Sequence, residues 1–333
     1  DKTNTNYAQL VEEFIRNDLT GFKRLYLKDR EIKNLILMGD FLTETIFREE
    51  RQDNIITRAE FEKRYENTVY KTETSLSEEM DIDPEYAALI VPTMVICKDF
   101  MDLFNAEALW MPGVSLLDGI AYDFGEKKNF IKSAHNFEND ILVAARNIAK
   151  RYSTGKDHIK GTTDLALAIF DSMKKVHGMG DRERLLLQIA VQLHDCGKYI
   201  SMGDVAECSY QIIMATEIIG LSTEERQIIA NAVRYNTTEF VYYSEIAGEV
   251  GMDRSVYLLI AKLTAILRIA NAMDRSHYQK VKNMKAMLKD RTLLLTVDSE
   301  QDISLELGLL MDKVEFFEEV FGIRLVFRRK RKV

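Results

Sequence analysis

His194 and Asp195 stand side by side in the stretch Leu193-His194-Asp195-Cys196-Gly197-Lys198. A neighbouring imidazole and carboxylate can share a divalent ion or a proton. The dipeptide alone is a weak signal. It gains weight from His158, which opens an earlier amphipathic segment, and from the polar stretch Arg268 to Asp274 after an apolar helix. The elements that must position these groups follow from periodicity. Arg182 to Leu193 places Leu185, Leu186, Ile189, Ala190 and Leu193 on one helical face, so the His-Asp pair falls at the C-terminal end of a buried helix. Gly197 then lets the chain turn. His158 to His177 reads as a helix with Leu165, Ala166, Ile169 and Phe170 facing inward. Two readings stay open on residue type alone: a metal site at His158, His194 and Asp195, or an inert buried hydrogen-bonded pair with His158 as its donor.

The chain has 333 residues, enough for two domains, and 46% hydrophobic residues, which suits a globular core. A net charge of -8 argues against a general nucleic-acid binder. The run Arg328-Arg329-Lys330-Arg331-Lys332 is the exception; it reads as a solvated end, with a polyanion contact as the alternative. Cys97, Cys196 and Cys208 form no CxxC pattern, so reduced thiols and a cytoplasmic location are expected. No apolar run approaches the ~20 residues of a membrane span, so no membrane partner is expected. No GxSxG nucleophile motif occurs.

Along the chain, residues 7–28 predict a helix anchored by Leu10, Phe14 and Leu19. Ile32 to Met38 predicts a buried strand ending at Gly39-Asp40-Phe41-Leu42-Thr43, where a helix begins. Strand, glycine turn, polar cap and helix can hold a phosphate on backbone N–H groups; an ordinary capped βα turn has the same pattern. Residues 57–81 read as helical, with a capping box at Thr57-Arg58-Ala59-Glu60 and a turn at Thr72 to Ser77. Asp83-Pro84 starts a further helix, bent at Pro92. Asn105 to Trp110 reads as a short strand and Met111 to Ser115 as a turn. From Asn136 the pattern is helical through Met273. Thr292 to Val297, residues 303–320 and Ile323 to Phe327 then give a β-α-β order.

The second half resembles the HD superfamily, with a first histidine, a later His-Asp pair and a polar residue on a late helix. The wider chain resembles the exopolyphosphatase/guanosine pentaphosphate phosphatase (Ppx/GppA) family. The blocks that carry this are Asp157-His158 through Asp171, Leu185 to Lys198, Gly220 to Glu225, and Leu267 to His277. Leu35 to Thr43 resembles the family's second phosphate-binding strand and turn, Val114 to Ile120 its closing motif, and Phe316 to Arg324 its C-terminal signature.

The resemblance implies an α+β, mostly α fold. It places the remainder of a ribonuclease-H-like (actin/Hsp70-type) phosphatase lobe at 1–130, an HD-type helical domain at 131–290, and a small C-terminal β-α-β element at 291–333. It implies hydrolysis of phosphoanhydride bonds in inorganic polyphosphate or guanosine pentaphosphate, with the main catalytic groups in an N-terminal lobe outside this sequence. It implies Gly39, Thr43 and Lys198 as phosphate contacts and His158, His194, Asp195 and Asp274 as ligands of a divalent metal, Mg²⁺ or Mn²⁺. A homodimer is expected, and no specific nucleic-acid partner. Several positions depart from the family pattern. Asp40 stands where a second glycine is usual, Leu117 where an arginine is usual, and Asn271 where an aspartate ligand is usual, so Asp274, one helical turn on, is the substitute. Glu207 and Asn236 stand where histidines are frequent. These departures support two alternatives: a non-catalytic regulatory or binding homologue, and a helical domain that is itself a metal-dependent nucleotide phosphohydrolase. His135, His177 and His277 read as surface or cap residues. Lys262, Arg268 and Arg275 form a basic stripe, read as a solvated helix face, with polyphosphate contact as the alternative.

Overall fold

The computed structural model describes residues 4–27, 30–39, 41, 54–133, 135–246, 253–281 and 283–330. The fold is α+β and mostly helical. Two compact units divide the chain, residues 1–134 and 135–333.

The first unit runs α1 (Asn4–Phe22), a π turn (Lys23–Leu27), β1 (Asn34–Ile36), β2 (Ile55–Thr57), α2 (Arg58–Thr68), α3 (Glu73–Met80), α4 (Pro84–Phe104), β3 (Ala108–Trp110) and α5 (Leu116–Lys127). Its sheet has the order β1-β3-β2, with β1 parallel and β2 antiparallel to β3. The strand expected to be buried from Ile32 to Met38 is shorter. β1 lies at the sheet edge, and Ile36 and Met38 are 57% and 67% exposed. The capping box at Thr57 forms: Thr57 N donates to Glu60 Oε2 at 2.9 Å and Glu60 N to Thr57 Oγ1 at 3.4 Å. The expected turn at Thr72 to Ser77 is instead the start of α3. Thr72 Oγ1 accepts from Ser75 N at 3.1 Å, so the Thr/Ser cluster caps a helix. Ser115 and Asp118 form a second capping box on α5. The core of this unit gathers Phe61, Leu76, Ile90, Met94, Met101 and Leu109.

The second unit contains α6 (Phe137–Arg151), α7 (Lys156–Ser172), α8 (Lys174–His177), α9 (Asp181–Leu193), a 3₁₀ turn (Cys196–Tyr199), α10 (Val205–Ala215), α11 (Thr223–Arg234), α12 (Tyr243–Ile246), α13 (Arg254–Ala272), β4 (Asn283–Lys289), β5 (Thr292–Asp298), α14 (Ser304–Phe321) and β6 (Arg324–Arg329). By length and hydropathy α13 could cross a membrane. Here it is the central core helix, with Leu263, Ala265, Ile266, Leu267, Ile269 and Ala270 fully buried against α7, α9, α11 and α14. Each such Leu or Ile contributes about 1.5–3 kcal/mol of burial.

β4 and β5 form a hairpin in which Asp290 and Arg291 both take positive φ, 47° and 60°. That is the conformation of a two-residue turn matched to strand twist. β6 returns parallel to β5 through α14, giving the order β4-β5-β6. Leu293, Leu295, Val297 and Leu325 point into the same core as the helices.

Candidate metal centre

The site is built where α9 stops. His194 caps that helix, and the single turn Cys196–Tyr199 follows. Gly197 has no room for a side chain there: a Cβ would lie 2.3 Å from the Val205 carbonyl oxygen and 2.5 Å from Ser209 N. Its N–H donates to Ser209 Oγ at 2.9 Å, and that hydroxyl donates to the His194 carbonyl at 3.3 Å. The start of α10 therefore clamps the turn that carries Asp195. His158 enters from the first turn of α7, and Asp274 from the turn after α13.

The two rings are held from behind. His194 Nδ1 lies 2.7 Å from the Val191 carbonyl oxygen, and His158 Nδ1 lies 2.7 Å from Asp274 Oδ2. Both acceptors call for a proton on Nδ1, which leaves Nε2 of each ring with its lone pair. The two Nε2 atoms are 3.2 Å apart. Asp195 Oδ1 is 3.6 Å from His194 Nε2, and Asp195 Oδ2 is 4.0 Å from His158 Nε2. One ligand atom from each of the three residues lies within 4.8 Å of the others. An ion bonded to each at about 2.0–2.2 Å fits that spacing. Two lone pairs facing at 3.2 Å repel unless a cation or proton stands between them. The donor set therefore fits a divalent cation.

Electrostatics prepare the same chemistry. Burial lowers the pKa of His194, so its ring is neutral at pH 7, the form that ligates. Burial would raise Asp195, but the nearby His194 and Lys198 outweigh it and hold the carboxyl below its ordinary value. Burial would also raise Asp274, and hydrogen bonds from His158 and Gln279 outweigh that. Gln279 donates to both Asp274 oxygens, from its N–H at 2.8 Å and from Nε2 at 3.2 Å.

The structure brings His158, His194 and Asp195 together. It places Asp274 on the far nitrogen of His158, behind the ring, where it orients the imidazole. Lys198 donates to Asp195 Oδ2 at 2.5 Å, on the partly exposed side of the site. Asn271 is buried within α13, and Glu207 pairs with Arg234 at 2.9 Å. Gly39 belongs to the first unit, where its φ of 141° favours glycine. Asp40 and Thr43 lie outside the described residues, as do Arg331 and Lys332.

Several expectations are corrected. His277 keeps a side chain 35% exposed, and its ring also stacks on His158 with centroids 3.7 Å apart, its Nε2 3.9 Å from Asp195 Oδ2. His177 is 1% exposed; Nε2 donates to the Phe170 carbonyl at 2.9 Å and Nδ1 accepts from Met179 N at 2.9 Å. Arg268 is no solvated stripe residue either. It is 8% exposed, donates to the Tyr235 and Thr238 carbonyls at 2.7 and 2.6 Å, and lies over the Phe316 ring. The C-terminal half of α13 is buried all round, so Arg268 turns inward to the end of α11. Sequence reasoning missed Ser209, Gln279 and His277. Only His277 carried a signal, its place three residues after Asp274 in a turn.

Residues 143–315, just over half of the chain, match the family model described as Ppx/GppA phosphatase, domain III. No curated protein matches the chain. The helical second unit, with the His-Asp turn at its centre, is thus the part that carries the relationship, and the chain belongs to the Ppx/GppA phosphatase family.

Proposed function

We propose that this chain is part of a phosphohydrolase that cleaves phosphoanhydride bonds in inorganic polyphosphate or guanosine pentaphosphate, and that His158, His194 and Asp195 hold a divalent cation, Mg²⁺ or Mn²⁺. Family membership supports the reaction class. The observation that carries the metal assignment is the pair of Nε2 atoms facing each other at 3.2 Å beside the Asp195 carboxylate. A bound ion would polarise a phosphoryl oxygen and acidify a water. The protein's own groups do the positioning. Asp274 and the Val191 carbonyl fix the two rings, and Asp195 completes the donor set. Lys198, on the open side of Asp195, is suited to meet a phosphate oxygen as a point charge.

The test is phosphate release from guanosine pentaphosphate and from polyphosphate by the Mn²⁺-loaded chain, beside His194→Ala. The reading expects release that falls at least about 100-fold in the variant, the scale of losing a metal's charge stabilisation. Equal release in both would refute the assignment of activity to this site.

One observation favours a second reading, a regulatory homologue without turnover. The side chains of His158, His194 and Asp195 are only 2%, 0% and 12% exposed, leaving a phosphate little room to approach. Metal binding with no release from either substrate would support it.

A further inference from the structure

The sheet of the second unit has one face in the core and one face outside. Pairing register puts Lys289, Thr292 and Arg324 in one row across the outer face. Met287, Leu294 and Val326 form the next row, and Lys285, Thr296 and Arg328 the third. Alternation along each strand confirms the face, since Leu293, Leu295, Val297 and Leu325 between them are buried. Met287 is 57% exposed and Val326 38%. Among the described residues, Lys285, Lys289, Arg324 and Arg328 form no ion pair. Asp298, opposite Asn283 at the end of the hairpin, is the acidic residue on this face. A chain of net charge -8 thus sets four unpaired cations in two rows around an aliphatic row.

Edge strands often carry charge to discourage sheet extension, and β4 and β6 are both edges. That use is served by either sign. Here both edges carry one sign, opposite to that of the chain, and the threonines of β5 add hydroxyl donors between them. The cation rows lie about 13 Å apart along the strands and span about 10 Å across them. Such a face attracts an extended polyanion. The aliphatic row selects among polyanions. Inorganic polyphosphate has nothing to place on Met287, Leu294 and Val326, whereas a nucleic-acid strand has bases for that row and phosphates for the flanking rows.

We propose that the outer face of β4, β5 and β6 binds single-stranded nucleic acid without reading its sequence, through Lys285, Lys289, Arg324 and Arg328 on the phosphates and Met287, Leu294 and Val326 under the bases. This surface is separate from the His-Asp site and does not depend on its activity.

The experiment is fluorescence anisotropy of a labelled oligo-uridine of about 15 nucleotides, near the upper site size of single-strand binders, with the whole chain across a salt series. Four phosphate contacts predict a slope of log affinity against log salt near -3, at about 0.7 per contact. The double variant Lys285→Gln/Arg328→Gln is expected to flatten that slope by about 1.4 and weaken binding about tenfold. Met287→Ser, at an exposed position, is expected to weaken RNA and leave polyphosphate binding unchanged. Circular dichroism of each variant secures the fold. No RNA binding by the wild type, or an unchanged slope in a folded double variant, would overturn the proposal. So would polyphosphate that competes equally per phosphate while Met287→Ser has no effect; the face would then be a bare polyanion surface.

Discussion

Asp274 Oδ2 lies 2.7 Å from His158 Nδ1, although 116 residues separate them in the chain. The carboxylate sits behind the ring and turns its other nitrogen towards His194. Asp274→Asn keeps the size and removes the carboxylate charge that faces His158 Nδ1. Divalent-metal affinity is expected to fall about 10- to 100-fold, the range for such supporting groups. Isothermal titration with Mn²⁺ measures it; an unchanged affinity would show that the ring needs no carboxylate.

Gly197 supplies the second prediction. A methyl group at 2.3 Å from the Val205 carbonyl oxygen cannot be accommodated by rotating a side chain. Gly197→Ala is expected to destabilise the second unit by about 3 kcal/mol or more in urea unfolding. Metal affinity should fall with it, because the displaced turn carries Asp195. A neutral effect would mean that α10 moves aside freely.

Arg268 gives the third. Its guanidinium ends α11 by donating to two carbonyls while packed on Phe316. Arg268→Ala leaves those carbonyls without the donor and is expected to cost about 2–4 kcal/mol. Arg268→Lys should recover little of it, since an ammonium lacks the planar fork. Thermal denaturation of both variants decides, and full rescue by lysine would contradict the account.

Asp99 makes stability depend on pH. Burial, with Glu12 nearby, pushes its carboxyl up to about 6, and its buried Oδ2 has no hydrogen bond among the described residues. A folded pKa above the unfolded value of about 3.9 favours the protonated form in the fold. That contribution is full below about pH 4 and is lost as pH rises through about 6. Asp99→Asn mimics the protonated group. It is expected to raise the melting temperature of the first unit at pH 8 and to match wild type at pH 4. A gap that stays constant with pH would rule out Asp99 as the titrating group.

Periodicity carried much of the second unit. The inward faces of α7 and α9 and the His-Asp turn could be read from residue type and spacing. Helices that bury one stripe write that stripe into the sequence. Other features left weaker marks. β4 alternates Met284, Ala286 and Leu288 with Lys285, Met287 and Lys289, but the apolar Met287 on the outer face blurs the period. Its hairpin turn, Asp290-Arg291, has no glycine or asparagine to announce it. Arg268 was misread because a buried cation satisfied by distant carbonyls has no local pattern. At the site, the trio was readable because histidine and aspartate are conspicuous. The contact of Asp274 with His158 Nδ1 was not, since a carboxylate beside a ring leaves no mark in sequence of which nitrogen it faces.

Elemental analysis of the purified chain, wild type beside His194→Ala, tests the central claim most directly. The account predicts near-stoichiometric divalent metal in the wild type and its loss in a variant that keeps the helical circular dichroism. Metal-free wild type after exposure to Mn²⁺ and Mg²⁺, with the fold intact, would contradict it and make the His158–His194 contact a proton-sharing pair in a structural core.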